Sequence, residues 1–154
     1  MTTFAASVLA VSLAAAAAAD DRIAEIIAAP DAPVRLDSTK VLNTGAQPLV
    51  LLYAATNAGD TAVEQFTVMV FVYSADGQLK ARQVAPGRRD LPGRETKYST
   101  MVLDVGTIEP TDTLMAGVDQ VQHAGSERWW RTDLRVVAEA AADAKRGAAK
   151  TPRK

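Results

Sequence analysis

The segment from Val63 to Tyr73 most constrains the fold, because both of its alternating sides are apolar. One side carries Phe66 and three valines, and the other carries Met69, Phe71 and Tyr73. Successive side chains of a strand point to opposite faces, so neither face of this strand can lie in water. Leaving three such side chains wet would forgo about 1.5–3 kcal/mol each. We therefore expect one face to fill the core of a β-sandwich and the other to be covered.

Other segments of the chain alternate in the same way and are separated by residues that favour turns. Ser74-Ala75-Asp76-Gly77 is a hairpin signal directly after the first segment. Short strands at this spacing predict a mainly β protein, an immunoglobulin-like antiparallel sandwich of about seven strands over residues 34–132. The other predicted strands are residues 34–42, 48–56, 79–85, 95–105, 113–122 and 127–131.

The predicted strand over residues 48–56 is also apolar on both sides. Leu49, Leu51 and Tyr53 alternate with Val50 and Leu52. We therefore expect the outer side of this strand, like the outer side of Val63–Tyr73, to be covered.

Two segments that flank the predicted sandwich have helical character. Residues 133–146 place Leu134, Val137 and Ala138 at helical spacing, and Gly147 follows as a stop signal. Residues 20–33 are predicted as a short helix and a linker, and residues 147–154 as a disordered basic tail. We expect the C-terminal helix, alone or with residues 20–29, to pack on the sandwich and cover its outer face. A partner subunit or a ligand is the competing cover.

The first nineteen residues differ from the rest of the chain. The run from Phe4 to Ala19 is small or apolar and carries no charge, and three alanines precede Asp20. This pattern predicts a signal peptide over residues 1–19, with a periplasmic or secreted bacterial protein as the product. The run is too short to span a bilayer comfortably, so we expect no transmembrane span in the mature chain. The alternative is an alanine-rich helix that belongs to the domain.

The composition excludes several kinds of chemistry. The net charge of −1 gives no field that would favour nucleic acid, and the absence of cysteine excludes disulfides and thiolate catalysis. No phosphate-binding loop, nucleophile elbow or zinc-protease motif occurs. His123 is the only histidine and lies in a predicted turn, and His123 with Asp119 is too few ligands for a metal site. We therefore expect no catalytic residues, cofactor or metal.

The middle of the chain resembles a known family of domains. Asn57-Ala58-Gly59-Asp60, the strand of alternating valines, a Tyr-x-x-Asp-Gly hairpin and Leu91-Pro92-Gly93 follow one another within residues 48–105. In this order they resemble the FxLYD-type and related immunoglobulin-like domains of bacterial cell-envelope proteins. The motif that names the family is present only in altered form, as Phe71-Val72-Tyr73-Ser74. The resemblance implies a non-catalytic envelope module.

The adjacent tryptophans are the first candidate for a binding site. Neighbouring residues of a strand point to opposite faces, so Trp129 and Trp130 cannot enter the same core. We predict Trp130 inside and Trp129 partly exposed on the side of Arg131. In the alternative, both indoles are buried, one in the sandwich and one under the helix. An exposed Trp129 would be the best anchor for a partner or a sugar ring.

The second candidate is a concentration of positive charge between the fourth and fifth predicted strands. In one interpretation this loop binds an acidic partner or an anionic envelope polymer, and in the other it protects a strand edge and is otherwise solvated. The predicted partner-binding residues are Trp129, Arg131, Arg88, Arg89, Arg94 and Lys97.

Together these features predict a non-catalytic exported envelope protein. Its role would be that of a protein-interaction or structural module, and its partner another envelope protein or an anionic envelope polymer. The alternative function is a carbohydrate-binding accessory module that uses exposed aromatic residues.

Overall fold

The computed structural model describes residues 22–43 and 48–150, and the predicted signal peptide over residues 1–19 lies outside them. This part of the chain contains eight strands and one helix. Their bounds are β1 Glu25–Ile26, β2 Val34–Leu42, β3 Leu49–Asn57, β4 Val63–Tyr73, β5 Leu79–Pro86, β6 Thr96–Leu103, β7 Thr113–His123, β8 Trp129–Arg131 and α1 Leu134–Lys150.

The strands form two sheets that pack face to face. The three-stranded sheet has the order β2-β3-β6, and the five-stranded sheet has the order β1-β7-β4-β5, with β8 also paired to β7. Strands β2-β3-β6 form one sheet and β8-β7-β4-β5 form the other, which is the division of strands in an immunoglobulin-type sandwich, and the short β1 is an additional strand beside β7. The predicted fold class is confirmed. The pair β1–β7 is the exception to the antiparallel pattern, since it is parallel.

The core of the sandwich lies between the sheets and is built around the inner face of β4. Phe66, Val68, Val70 and Val72 on this face are at most 1% exposed. They pack against buried side chains of the three-stranded sheet, among them Leu51 and Leu103. Of the two apolar sides seen in the sequence, the one with Phe66 therefore fills the core of the sandwich.

The outer face of β4 is covered by α1. Phe71 and Tyr73 of β4 and Met115 of β7 pack against Leu134 and other helix residues, and all of these are buried. The central helix residues at this contact are alanines, Ala138 and Ala142. Small side chains let the helix approach the large aromatic rings closely.

Gly117 of β7 permits the same close approach. A Cβ atom at this position would lie 2.3 Å from the carbonyl oxygen of Ile27 and 2.8 Å from a methyl carbon of Leu134. A side chain here would therefore displace both the N-terminal segment and the start of α1.

The predicted helix over residues 20–29 is wrong for its described part, residues 22–29, which are extended. Arg22 exchanges two backbone hydrogen bonds with Val41 of β2, and the N–H of Ile27 donates to Ala116 of β7. The segment thus runs from the edge of one sheet to the edge of the other, and its backbone forms hydrogen bonds with both edges. Pairing at two sheet edges outweighs a weak helical preference in a short segment that contains three isoleucines.

The C-terminal helix is longer than predicted and includes Gly147. It ends at Lys150, so residues 147–150 of the predicted disordered tail are helical, and residues 151–154 lie outside the described part. A glycine costs a helix only about 1 kcal/mol relative to alanine, and two alanines follow it here.

Candidate binding surfaces

The structure distributes the predicted basic residues over three places. Arg94 forms a bidentate ion pair with Asp60 at the β3–β4 turn, with distances of 2.7 and 3.2 Å. The hydrogen bonds from Arg94 hold the pKa of the Asp60 carboxyl below its ordinary value. Lys97 of β6 donates to the backbone carbonyl of Asp90 in the loop between β5 and β6. These two cations join the β5–β6 loop to β6 and to the neighbouring turn.

Asn57 supports that turn from inside. Its side chain is fully buried, accepts a hydrogen bond from the N–H of Gly59 and donates to the carbonyls of Thr61 and Leu91. The Asn-x-Gly-Asp motif of the sequence is therefore a structural turn, and its Asp60 is the partner of Arg94.

Arg88 binds the backbone at the free edge of β6. It donates to the backbone carbonyl of Tyr98 over 3.2 Å. Further along the same edge, Gln83 of β5 donates to the carbonyl of Val102 and accepts from the N–H of Asp104, at 2.8 and 2.7 Å. Side chains thus occupy backbone groups that an additional strand would need. For Arg88 the structure agrees with the edge-protection interpretation.

Arg89 points instead to the outer face of the five-stranded sheet. Its guanidinium donates to Oε1 of Gln65, 3.1 Å away, and Gln65 donates to Oε1 of Gln122 over 2.5 Å. Gln122 donates to the carbonyl of Ser126 and is the cross-strand partner of Trp129. The structure therefore places Arg89 and Trp129 at the two ends of one row that crosses β4, β7 and β8.

A second row runs beside the first. Its members are Thr67 of β4, Gln120 of β7 and Arg131 of β8, which are paired across the strands. The hydroxyl of Thr67 donates to the carboxylate of Asp119, which is buried at a β-bulge. The two rows together are called the polar platform, which consists of Gln65, Thr67, Arg89, Gln120, Gln122, Trp129 and Arg131.

The two tryptophans have different environments. Trp130 is paired with Val121, packs against the core and donates from its indole nitrogen to Asp31 over 3.2 Å. Trp129 lies on the other face, and both indoles are only half-buried. The alternative in which both are fully buried is wrong. Trp129 shares the polar platform with Arg131 and Arg89, whereas Arg88, Arg94 and Lys97 are engaged elsewhere.

The outer face of the three-stranded sheet is a second open surface, which the sequence did not single out as a site. Tyr98 and Val102 of β6 are 73% and 55% exposed, and Val50 and Leu52 of β3 beside them are half-buried. A cavity of about 290 Å³ lies between Tyr98, Leu52 and Lys40. This surface, formed by Val50, Leu52, Tyr98 and Val102, is called the apolar face.

The alternation of β6 gave only an ambiguous signal for this face. Met101 and Leu103 point to the core, while Tyr98 and Val102 point outward, so both sides of the strand carry apolar residues. The pattern of β6 alone does not show which side faces the core, whereas the pairing with β3 does.

Residues 22–43 and 48–150 do not assemble a candidate metal site. These residues include no group of three side chains that could hold a metal ion. His123 is the last residue of β7, half-buried, and lies opposite Val63. The helix of the described part, α1, does not have the length and hydropathy needed to cross a membrane.

Comparison with known proteins gives no family for this chain. No family model, curated protein or solved structure matches it.

Proposed function

We propose that the protein is a non-catalytic module of the bacterial envelope that is exported and binds another envelope protein through its apolar face. The observation that carries this proposal is the exposure of Tyr98 and Val102, at 73% and 55%, on a sheet face with no cover among the described residues. The apolar part of the outer face of the other sheet, by contrast, is covered by α1.

The composition of the apolar face supports a protein as the partner. Four apolar side chains lie together, and Lys40, Ser38 and Thr100 line the adjoining cavity. An apolar centre with a polar rim is the usual anatomy of a protein–protein interface, where aromatic residues supply much of the binding energy. An anionic polymer is a weaker candidate partner, because Arg94, Arg88 and Lys97 already bind groups of the protein itself.

Export and an envelope location rest on the sequence. They are supported by the uncharged segment over residues 1–19 and by the resemblance of residues 48–105 to FxLYD-type domains. Residues 1–19 lie outside the described part of the chain. Cell fractionation, with mapping of the mature N-terminus, tests this part of the proposal separately.

The binding proposal is tested with a photo-crosslinking residue at position 98 in cells that make the protein. We expect a discrete adduct with one envelope protein. The matched control carries the same residue at Val136, which is 59% exposed on α1 and far from the apolar face in sequence. The control should give no such adduct.

A disrupting variant makes the result specific. Val102→Asp places a charge on the same face, two outward-facing positions along β6 from position 98. It should abolish the adduct while leaving the melting temperature nearly unchanged, because Val102 is already exposed. Equal adducts at positions 98 and 136, or an adduct that survives Val102→Asp, would contradict the proposed interface.

A further inference from the structure

The polar platform is distinct from the apolar face, since it lies on the other sheet. It occupies the part of the outer face that α1 leaves open, because the helix begins at Leu134, beside Gly117. Two rows over three strands make a patch about 10 Å wide across the strands. One half of this sheet face is therefore covered and apolar, and the other half is open and polar.

The platform offers groups that bind hydroxyls. A glutamine amide has a carbonyl with two lone pairs and an NH₂ with two hydrogens, so it can donate and accept at once. The bonds described for Gln65 and Gln122 use only part of this capacity. They also fix both amides in place, so that the remaining donors and acceptors are held in position before a ligand arrives.

Trp129 supplies an apolar plane at the end of the first row. The indole is half-buried and is the cross-strand neighbour of Gln122. An aromatic face next to fixed amides matches a sugar ring, which presents C–H groups on one side and hydroxyls around its rim.

The charges of the platform favour a neutral ligand. Arg89 and Arg131 are exposed, as is Arg128 beside Trp129. Two exposed carboxylates, Glu127 and Asp133, also flank β8 in the chain. The carboxylate of Asp119 is buried and bonded to Thr67. Cations and anions are balanced here, so no net field attracts a polyanion, and recognition rests on the amides and the indole.

We infer that the polar platform binds a neutral polysaccharide, with a sugar ring on Trp129 and its hydroxyls on Gln122 and Gln65. This site is independent of the proposed protein interface, so the protein would hold a glycan with one sheet and a protein with the other.

The inference is tested by affinity electrophoresis of the full chain in gels that contain dextran, mannan or hydroxyethylcellulose. We expect at least one of these neutral polysaccharides to retard the protein. Trp129→Ala should weaken the apparent affinity at least about tenfold, as expected for a tryptophan at the centre of a binding site. Gln122→Ala should weaken it about fivefold, which corresponds to one lost hydrogen bond.

Control variants separate this site from the apolar face and from loss of folding. Tyr98→Thr should leave the retardation unchanged, and Val102→Asp should do the same even though it abolishes the crosslink at position 98. Gln122→Ala removes a side chain without opening the core, so it tests the site even if Trp129→Ala destabilises β8.

Three results would overturn the inference. The first is that none of the neutral polysaccharides retards the protein. The second is retardation that persists in both Trp129→Ala and Gln122→Ala. The third is retardation only by polygalacturonate or dextran sulfate that disappears with added salt, which would identify the arginines as sites for a polyanion.

Discussion

The outer faces of the two sheets both carry apolar side chains, yet only one of them is covered. On the five-stranded sheet, Phe71, Tyr73 and Met115 are at most 3% exposed under α1. On the three-stranded sheet, Tyr98 and Val102 remain largely in solvent. The difference teaches that a strand with two apolar sides is not enough to predict a cover from within the described part of the chain.

The outer side chains of β3 illustrate the weaker case. Val50 and Leu52 are half-buried without an element above them, because neighbouring side chains in the sheet shield them in part. Full exposure of such a side chain would forgo about 1.5–3 kcal/mol of burial free energy, and partial exposure costs only a fraction of this. A domain can carry that cost, and an open face of this kind is then available to a partner.

The largest expected effect comes from truncating a side chain under the helix. Phe71→Ala should lower the free energy of unfolding by about 3–5 kcal/mol, because it leaves a cavity between β4 and α1. Urea denaturation measures this difference. The matched change on the open face, Val102→Ala, should alter stability by less than about 0.5 kcal/mol. Similar losses for the two variants would break the comparison.

Adding a side chain to a glycine at the covered face should destabilise the protein nearly as much. Gly117→Ala should cost about 1–3 kcal/mol, because the added Cβ would meet the Ile27 carbonyl and Leu134. Thermal unfolding monitors the loss. Gly147→Ala is the matched control, since a Cβ there meets nothing within 4 Å and alanine favours the helix. A harmless Gly117→Ala would mean that the contact between α1 and β7 is loose.

Removing the aromatic residue of the open face should have little effect on folding. We expect Tyr98→Thr to change the free energy of unfolding by less than about 0.5 kcal/mol, since the ring is 73% exposed and threonine suits a strand. Equilibrium denaturation gives the value. A loss of several kcal/mol would show that the ring is part of the fold and would weaken its assignment to an interface.

The smallest effect concerns the exposed ion pair of Asp60 and Arg94. Hydrogen bonding to Arg94 lowers the pKa of Asp60 from its ordinary value of 3.8. The pair therefore stabilises the fold above that value, and the contribution is lost as the pH falls through the lower pKa of the folded state. In Asp60→Asn, stability should fall less steeply with acid below pH 3.8, as followed by urea unfolding at several pH values. An unchanged slope would contradict this role.

The sequence predicted the strands well because their signal is local. The bounds predicted for β4, residues 63–73, are those observed, since eleven alternating residues between turn signals leave little freedom. The segment over residues 22–29 failed for a non-local reason. Its backbone pairs with β2 and β7, and no pattern within the segment reveals these partners.

The candidate surfaces were predictable in their residue types but not in their assembly. Trp129, Arg131 and Arg89 were candidates from composition and local alternation, but only the register of three strands places them on one platform. The glutamines that join them carry no distinctive sequence signal. Arg88, Arg94 and Lys97 look alike in the sequence, and their bonds to the β6 edge and to the neighbouring turn are tertiary contacts.

The most direct test of the covered face is the stability of a chain that ends at Thr132 and therefore lacks α1. Exposed Phe71, Tyr73 and Met115 should then bind the dye ANS, and the protein should either lose most of its stability or associate. A chain of this length that remains monomeric, binds no dye and keeps the melting temperature of the full protein would contradict the account.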